Sequence, residues 1–185
     1  MIESIRAIIT EVDDAGISTF TSSDVIEPVF VQTPVKGGKE RAGTLWQVWG
    51  TSDGLPAFKD AAGPALTPFF PGPGGTRFAV FSIPPDSSVT ELADRQDASS
   101  GDFLGIADSH EPDGDDPAFH TTSSIDYLFI AEGELVIELD GGRRETLTPG
   151  TCLVQRGTRH AWRNLTAQRV LIVSVIVGVD GDPAP

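Results

Sequence analysis

From Phe119 to Val179 the chain repeats one pattern: a short apolar or alternating run, a turn marked by Gly or Pro, then another short run. No amphipathic helix interrupts the pattern, which leaves few folds open. Residues 127–131 read as a strand, Glu132-Gly133-Glu134 as a turn, 135–139 as a second strand and Asp140-Gly141-Gly142 as a tight hairpin turn. Thr148-Pro149-Gly150 then turns into 151–154, Gly157 turns again before 160–164, and 169–177 is the final strand. Strands spaced every 8 to 12 residues or so predict an all-β sandwich or barrel. Composition agrees: 39% hydrophobic residues are too many for a disordered chain, and 20 Gly with 14 Pro in 185 residues favour short strands and turns over a helical bundle.

The first half of the chain is less regular. Residues 5–11, 44–49 and 77–83 are rich in β-branched or aromatic side chains and read as strands, and the stretch between the first two reads as Ser-, Thr- and Gly-rich connections. Pro56, Pro64, Pro68, Pro71 and Pro73 make 53–75 a surface loop. Ten acidic residues against the single basic Arg95 mark 86–116 as a solvated loop or, because of its length, a lid or dimer arm, with Phe103, Leu104 and Ile106 as its apolar anchors and His110 solvated. The chain thus divides into an N-terminal extension with the first barrel strands (1–85), an acidic loop (86–117), a dense β region (118–179) and a tail (180–185), all within one structural domain.

A net charge of −14 and a pI near 4.4 repel phosphate backbones and anionic bilayers, so neither nucleic acid nor membrane is an expected partner. A small-molecule substrate and other proteins remain. The longest apolar run, 170–178, falls far short of the roughly 20 residues of a membrane helix and reads as a buried strand. One cysteine excludes an internal disulfide, and the first residues carry neither a basic nor a long apolar signal region, so a cytoplasmic address is expected. Cys152, in an apolar stretch, reads as a small core side chain.

Two of the three histidines fall in the dense region. If residues 120–126 are extended throughout, His120, Thr122, Ser124 and Asp126 share one face, as His160, Trp162 and Asn164 do on a neighbouring strand. Two imidazoles and a carboxylate converging in a barrel suit a divalent first-row metal or, alternatively, an acid/base pair around a substrate. A structural role for either histidine in polar packing stays open. Asp126 leads directly into an apolar strand, where an unpaired inward carboxylate would cost several kcal/mol, so it needs a partner.

These residues resemble the two motifs of the cupin superfamily. The first, G-x5-H-x-H-x3,4-E-x6-G, is matched by His120-x-Thr122-x3-Asp126-x6-Gly133; the latter half of the second, G-x5-P-x-G-x2-H-x3-N, by Gly157-x2-His160-x3-Asn164. Thr122 stands in place of a second histidine, Asp126 in place of glutamate and Gln155 in place of the proline. The resemblance implies a double-stranded β-helix (cupin jelly-roll barrel) with an N-terminal strand and loop extension. It places His120, Asp126 and His160 at metal-ligand positions, with Thr122 replacing the fourth ligand. One divalent metal (Fe, Mn, Ni or Zn) is the implied cofactor, with a metal-free site as the alternative.

The expected activity is that of a lyase or isomerase acting on an oxygenated, anionic organic metabolite, with His120, Asp126 and His160 catalytic. Thr122, Tyr127, Trp162 and Arg156 are the expected substrate contacts, Arg156 because six of the 13 basic residues cluster between Arg143 and Arg169. Salt bridges to the acidic loop are the alternative use of that cluster. A metal-dependent dioxygenase with a two-His, one-carboxylate site and a non-catalytic ligand-binding barrel are the other functional readings. A homodimer joined through edge strands is expected.

Overall fold

A computed structural model describes residues 2–35, 39–56, 63, 68–88, 90–91 and 116–181. Among them are twelve strands, two 3₁₀ turns and no α-helix. β1 (Ile5–Val12) and β2 (Ser18–Ile26) form an antiparallel hairpin, followed by β3 (Val29–Val35), β4 (Lys39–Thr51), β5 (Thr76–Ile83) and the two-residue β6 (Thr90–Glu91). Then come β7 (Ser124–Glu132), β8 (Leu135–Leu139), β9 (Arg143–Leu147), β10 (Cys152–Arg156), β11 (His160–Arg163) and β12 (Val170–Gly178). The large antiparallel sheet runs β10-β7-β12-β5-β4-β3, with β6 beside β4; the small one runs β11-β8-β9. The result is an all-β jelly roll.

The two sheets meet over Leu128, Ile130 and Ile172 from the large sheet and Leu135, Ile137 and Leu147 from the small one. A second cluster on the large sheet gathers Val31, Leu45, Ala79 and Ile176 around the fully buried Phe69, whose ring meets Phe70 and Phe81 edge to face at 5.3 and 5.6 Å. A third lies on the opposite face, where Trp46, Val48, Val80 and Leu171 are roofed by Ile5, Ala7 and Ile26 of the β1–β2 hairpin. Turn chemistry holds the frame. Gly141 and Gly142 sit at φ 72° and 71°, the left-handed region that lets β8 return directly as β9. Gly178 ends β12 flush against the backbone of Gly72, donates to the Gly75 carbonyl and accepts from Gly74, so a side chain there would collide with the loop that enters β5.

Three expectations change. Residues 12–43, read as connections, hold β2 and β3: nearly every side chain of β2 is exposed, so no apolar alternation announced it, while its Ser and Thr residues suit a wet strand paired with β1. β3 is an edge strand, the place in a sheet where a proline such as Pro34 is tolerated. Cys152 is exposed rather than in the core, because alternation along β10 turns Leu153 and Gln155 inward and Cys152, Val154 and Arg156 outward. Most of the acidic loop, with Phe103, Leu104, Ile106 and His110, lies outside the described residues; its two ends are anchored by Asp86 to Arg41 and Asp116 to Arg163. No helix among the described residues is long and apolar enough to cross a membrane.

Candidate functional site

Between the sheets lies a cavity of about 140 Å³, the size of a six-membered ring. Most of its wall is apolar, with Phe70, Phe81, Leu128, Ile172 and Ile176 prominent. The polar groups come from opposite sides. His160 and Trp162 stand on β11 of the small sheet, and His120 joins that sheet through mutual backbone hydrogen bonds with His160 of 2.9 and 3.0 Å. Asp126 and Ser174 stand on β7 and β12 of the large sheet. Residues 121–123 carry the chain from one sheet to the other, so the segment is not extended throughout, and His120 and Asp126 belong to facing walls instead of one strand face.

The two imidazoles lie with ring centroids 4.3 Å apart, and Trp162 meets the His160 ring edge-on at 5.1 Å. His120 Nδ1 is 3.1 Å from the Ala118 carbonyl. His160 is buried, and Nδ1 meets both the Gln155 amide nitrogen at 2.8 Å and the Thr158 carbonyl at 2.9 Å. Burial drives the His160 pKa down to about 4, against the opposing pull of the Thr158 carbonyl, so the ring is neutral at pH 7. On the facing wall, burial pushes the Asp126 carboxyl up to about 6, offset by a hydrogen bond from Ser124. Ser124 Oγ lies 2.6 Å from Asp126 Oδ1 and 2.9 Å from Thr122 Oγ1. With one proton per hydroxyl, the arrangement that satisfies all three has Thr122 donating to Ser124 and Ser124 to the carboxylate.

The residues present do not fit a three-donor metal centre. Among the described residues, no three His, Cys, Asp or Glu side chains come together to hold an ion. Asp126 is engaged with Ser124 across from the imidazole pair, and Thr122 supplies a hydroxyl where a third imidazole would be needed.

Of the residues singled out in the sequence, His120, Thr122, Asp126, His160 and Trp162 line the cavity. Tyr127 and Arg156 do not. Tyr127 follows an inward residue on a strand and is therefore turned outward, 51% exposed; Arg156, paired opposite Ile125, is likewise on the outer face. The arginine cluster braces the segment before His120. Arg163 binds Asp116 at 2.7 Å and Glu138 at 2.8 Å, Arg144 also reaches Glu138, and Arg159 and Arg163 lie over the Phe119 ring at 4.5 and 5.3 Å. Asn164 is fully buried and spends its side chain on Ile83, Thr166 and Gln168, a structural clasp.

Two wall residues escaped sequence reading. Arg41, buried on β4, lines the cavity and is held by Asp86 and the Trp162 carbonyl; nothing in its local sequence signals this. Ser174 is fully buried, and among the described residues its hydroxyl has no hydrogen-bond partner. Its signal was present in the sequence: it is the single polar residue in the apolar run 170–178.

No family model matches the chain. A phomopsin biosynthesis cluster protein C' from Diaporthe leptostromiformis is 30% identical over 156 residues, 84% of this chain and 68% of the relative. Shorter matches cover less. An oryzines biosynthesis cluster protein J from Aspergillus oryzae is 43% identical over 51 residues, 28% of each chain, so this chain spans little more than a quarter of that relative's length. A cupin-domain-containing oxidoreductase from Aspergillus ruber is 36% identical over 58 residues, 31% of this chain and 29% of the relative. Likeness over most of the chain, cupin-domain relatives and a jelly roll that turns the motif histidines into its cavity agree, and the chain belongs to the cupin superfamily.

Proposed function

We propose that this cupin is an enzyme of small-molecule metabolism that moves protons on a ring-sized, oxygenated, largely apolar metabolite, as an isomerase or lyase. The observation that carries the reading is a carboxyl and an imidazole lining one largely apolar cavity, Asp126 held by Ser124 and His160 by Gln155 and Thr158, with burial raising the carboxyl to about 6 and lowering the imidazole to about 4. Burial acts on the two groups in opposite senses and inverts their order, so the carboxyl at about 6 holds its proton more tightly than the imidazole at about 4. Asp126, ionised at neutral pH but close to its titration, is the base that takes a C–H proton next to a carbonyl. Neutral His160 is the hydrogen-bond donor that polarises that carbonyl. For this the imidazole proton must sit on Nε2. Two partners compete at Nδ1: the Gln155 amide nitrogen, which only donates, selects the Nε2–H tautomer, and the Thr158 carbonyl, which only accepts, selects Nδ1–H, so the proposed role needs the Gln155 contact to prevail, with the second amide proton on Thr158. Return of the proton to a different carbon completes an isomerisation; departure of a β-hydroxyl with a proton completes a dehydration.

The wall chemistry shapes the substrate. Arg41 is its cation, already balanced by Asp86, so a carboxylate on the substrate is not required, and Ser174 offers a hydroxyl to a polar substituent. The test is α-proton exchange of cyclohexanone in D₂O, followed by proton NMR, with phenol and cyclohexanone binding measured alongside. Exchange should exceed that of Asp126→Asn and His160→Ala by roughly 100-fold or more. Binding without exchange overturns the proton-transfer reading, and absence of binding overturns the cavity assignment. The name of the Aspergillus ruber relative favours a second reading, oxidation of the same class of molecule. Oxygen consumption with the same probes would select it.

A further inference from the structure

Ser174 lines the cavity and is fully buried, yet among the described residues its hydroxyl has no hydrogen-bond partner. Its cross-strand neighbours are Leu128 on β7 and Ala79 on β5, and two residues away on either side along β12 stand Ile172 and Ile176. The four nearest side chains on that face are therefore apolar. A hydroxyl held among them without a partner costs free energy that an alanine would not, and the cavity in front of it is the one direction from which a partner can arrive.

Register fixes where Ser174 stands relative to the proposed base. On β7 and β12, Asp126 is paired with Ile176 and Leu128 with Ser174. Ser174 and Asp126 are thus diagonal neighbours on adjacent strands, a relation that sets Cβ atoms about 7 to 8 Å apart. Ser124 engages Oδ1 of the carboxylate, which leaves Oδ2 as its second acceptor. His160 faces both residues from β11 of the small sheet.

We propose that Ser174 determines specificity by holding a second oxygen of the substrate, and that the substrate is a six-membered ring oxygenated on both carbons that flank the one facing Asp126. The inference rests on the proton-transfer reading, in which the carbonyl oxygen points to His160 and the carbon beside it to Asp126. That carbonyl is drawn toward the small sheet. An oxygen on the carbon at the other side of the reacting one lies along the large sheet, next to Asp126, where Ser174 stands. An oxygen on the reacting carbon itself would meet the carboxylate instead, and one across the ring from the carbonyl would stand a further carbon away from Asp126. Because a serine hydroxyl both donates and accepts, the second oxygen can belong to a hydroxyl or to a carbonyl. Arg41, the cation of the wall, stands on β4, two strands beyond β12, and is engaged by Asp86 and the Trp162 carbonyl, so it does not replace Ser174 in this contact.

The experiment is calorimetric titration of the full chain with phenol, catechol, resorcinol and hydroquinone, which stand in for the enol form of the ring, in wild type and Ser174→Ala. Circular dichroism verifies that the variant folds. Resorcinol, with its oxygens in the 1,3 relation, should bind wild type roughly ten-fold more tightly than each of the other three. In Ser174→Ala the ratio of resorcinol to phenol affinity should fall to about one. A ratio that persists in the variant overturns the proposal. The wild type alone also tests it, whether or not the variant folds, since catechol or hydroquinone bound as tightly as resorcinol overturns it. Exchange of cyclohexanone α-protons is read separately. A Ser174-dependent preference for resorcinol without exchange supports the Ser174 contact and overturns the proton-transfer reading, whereas exchange without the preference overturns the role of Ser174 and leaves that reading standing.

Discussion

β5, β12, β7 and β10 present two opposed chemistries on their two faces. Inward they carry Ser124, Asp126, Gln155 and Ser174, all buried; outward they carry Phe78, Val175, Tyr127 and Val154, all near half exposed. These inward polar residues sit among Leu128, Ile130, Ile172 and Ile176, while the outward row is apolar where a one-sided antiparallel sheet ordinarily carries polar residues. Buried polar atoms cost free energy unless paired, and here Ser124 pairs with Asp126 and Gln155 with Thr158 and His160, while Ser174 has no partner among the described residues. Strand alternation separates two faces without saying which is wet. What lies opposite each face decides that: the small sheet with its histidines on one side, and on the other a hairpin that covers only part.

The widest separation between the faces should be catalytic. His160→Ala is expected to slow α-proton exchange by roughly 100- to 10,000-fold, whereas Val154→Ala changes it by less than about two-fold. Equal losses would mean that the faces do not divide the work. Stability should separate next. In denaturant titrations Ile130→Ala, 1% exposed, should cost about 2 to 5 kcal/mol, and Val154→Ala about 0.5 kcal/mol or less.

The inner face should also show itself in pH dependence. Asp126 binds its proton more tightly folded, at about 6 against 3.8, so its stabilising contribution is complete below pH 3.8 and is lost as pH rises through 6. His160 is the opposite case, at about 4 against 6.5: its contribution is complete above pH 6.5 and is lost as pH falls through 4. Each shift corresponds to about 3 kcal/mol, and the two nearly cancel between pH 4 and 6. Urea melts of Asp126→Asn should therefore lose about 3 kcal/mol more than wild type between pH 6.5 and 4, and His160→Gln should gain stability over the same acidification. Parallel curves for all three proteins would sink the assignment of opposed titrations. The smallest effect belongs to Ser174→Ala, which removes an unpartnered buried hydroxyl. It should raise stability of the ligand-free chain by about 1 to 2 kcal/mol while weakening phenol binding.

Much of this is legible in the sequence alone. Turn-marked strands from β7 to β12 followed from Gly, Pro and alternation, and the spacing around His120 and His160 carried the cupin resemblance. Where the reading failed, the cause was physical. β2 is wet on almost every side chain, so no apolar period marked it. Tyr127 and Arg156 looked like pocket residues by chemistry, but each stands one position from an inward residue, and a single step along a strand reverses the face. Arg41 could not be found from its neighbours in sequence, since its partners Asp86 and Trp162 lie 45 and 121 positions away.

The sequence by itself determined the β architecture, the turns and which side chains could do chemistry, because these depend on backbone preference and on periods of two residues. Only the tertiary structure decided that His120 and His160 share one sheet while Asp126 faces them from the other, because the crossing at residues 121–123 breaks the strand parity that placed them together. Burial between those two sheets then moves the titrations of Asp126 and His160 in opposite directions, since desolvation penalises whichever form of a group is charged.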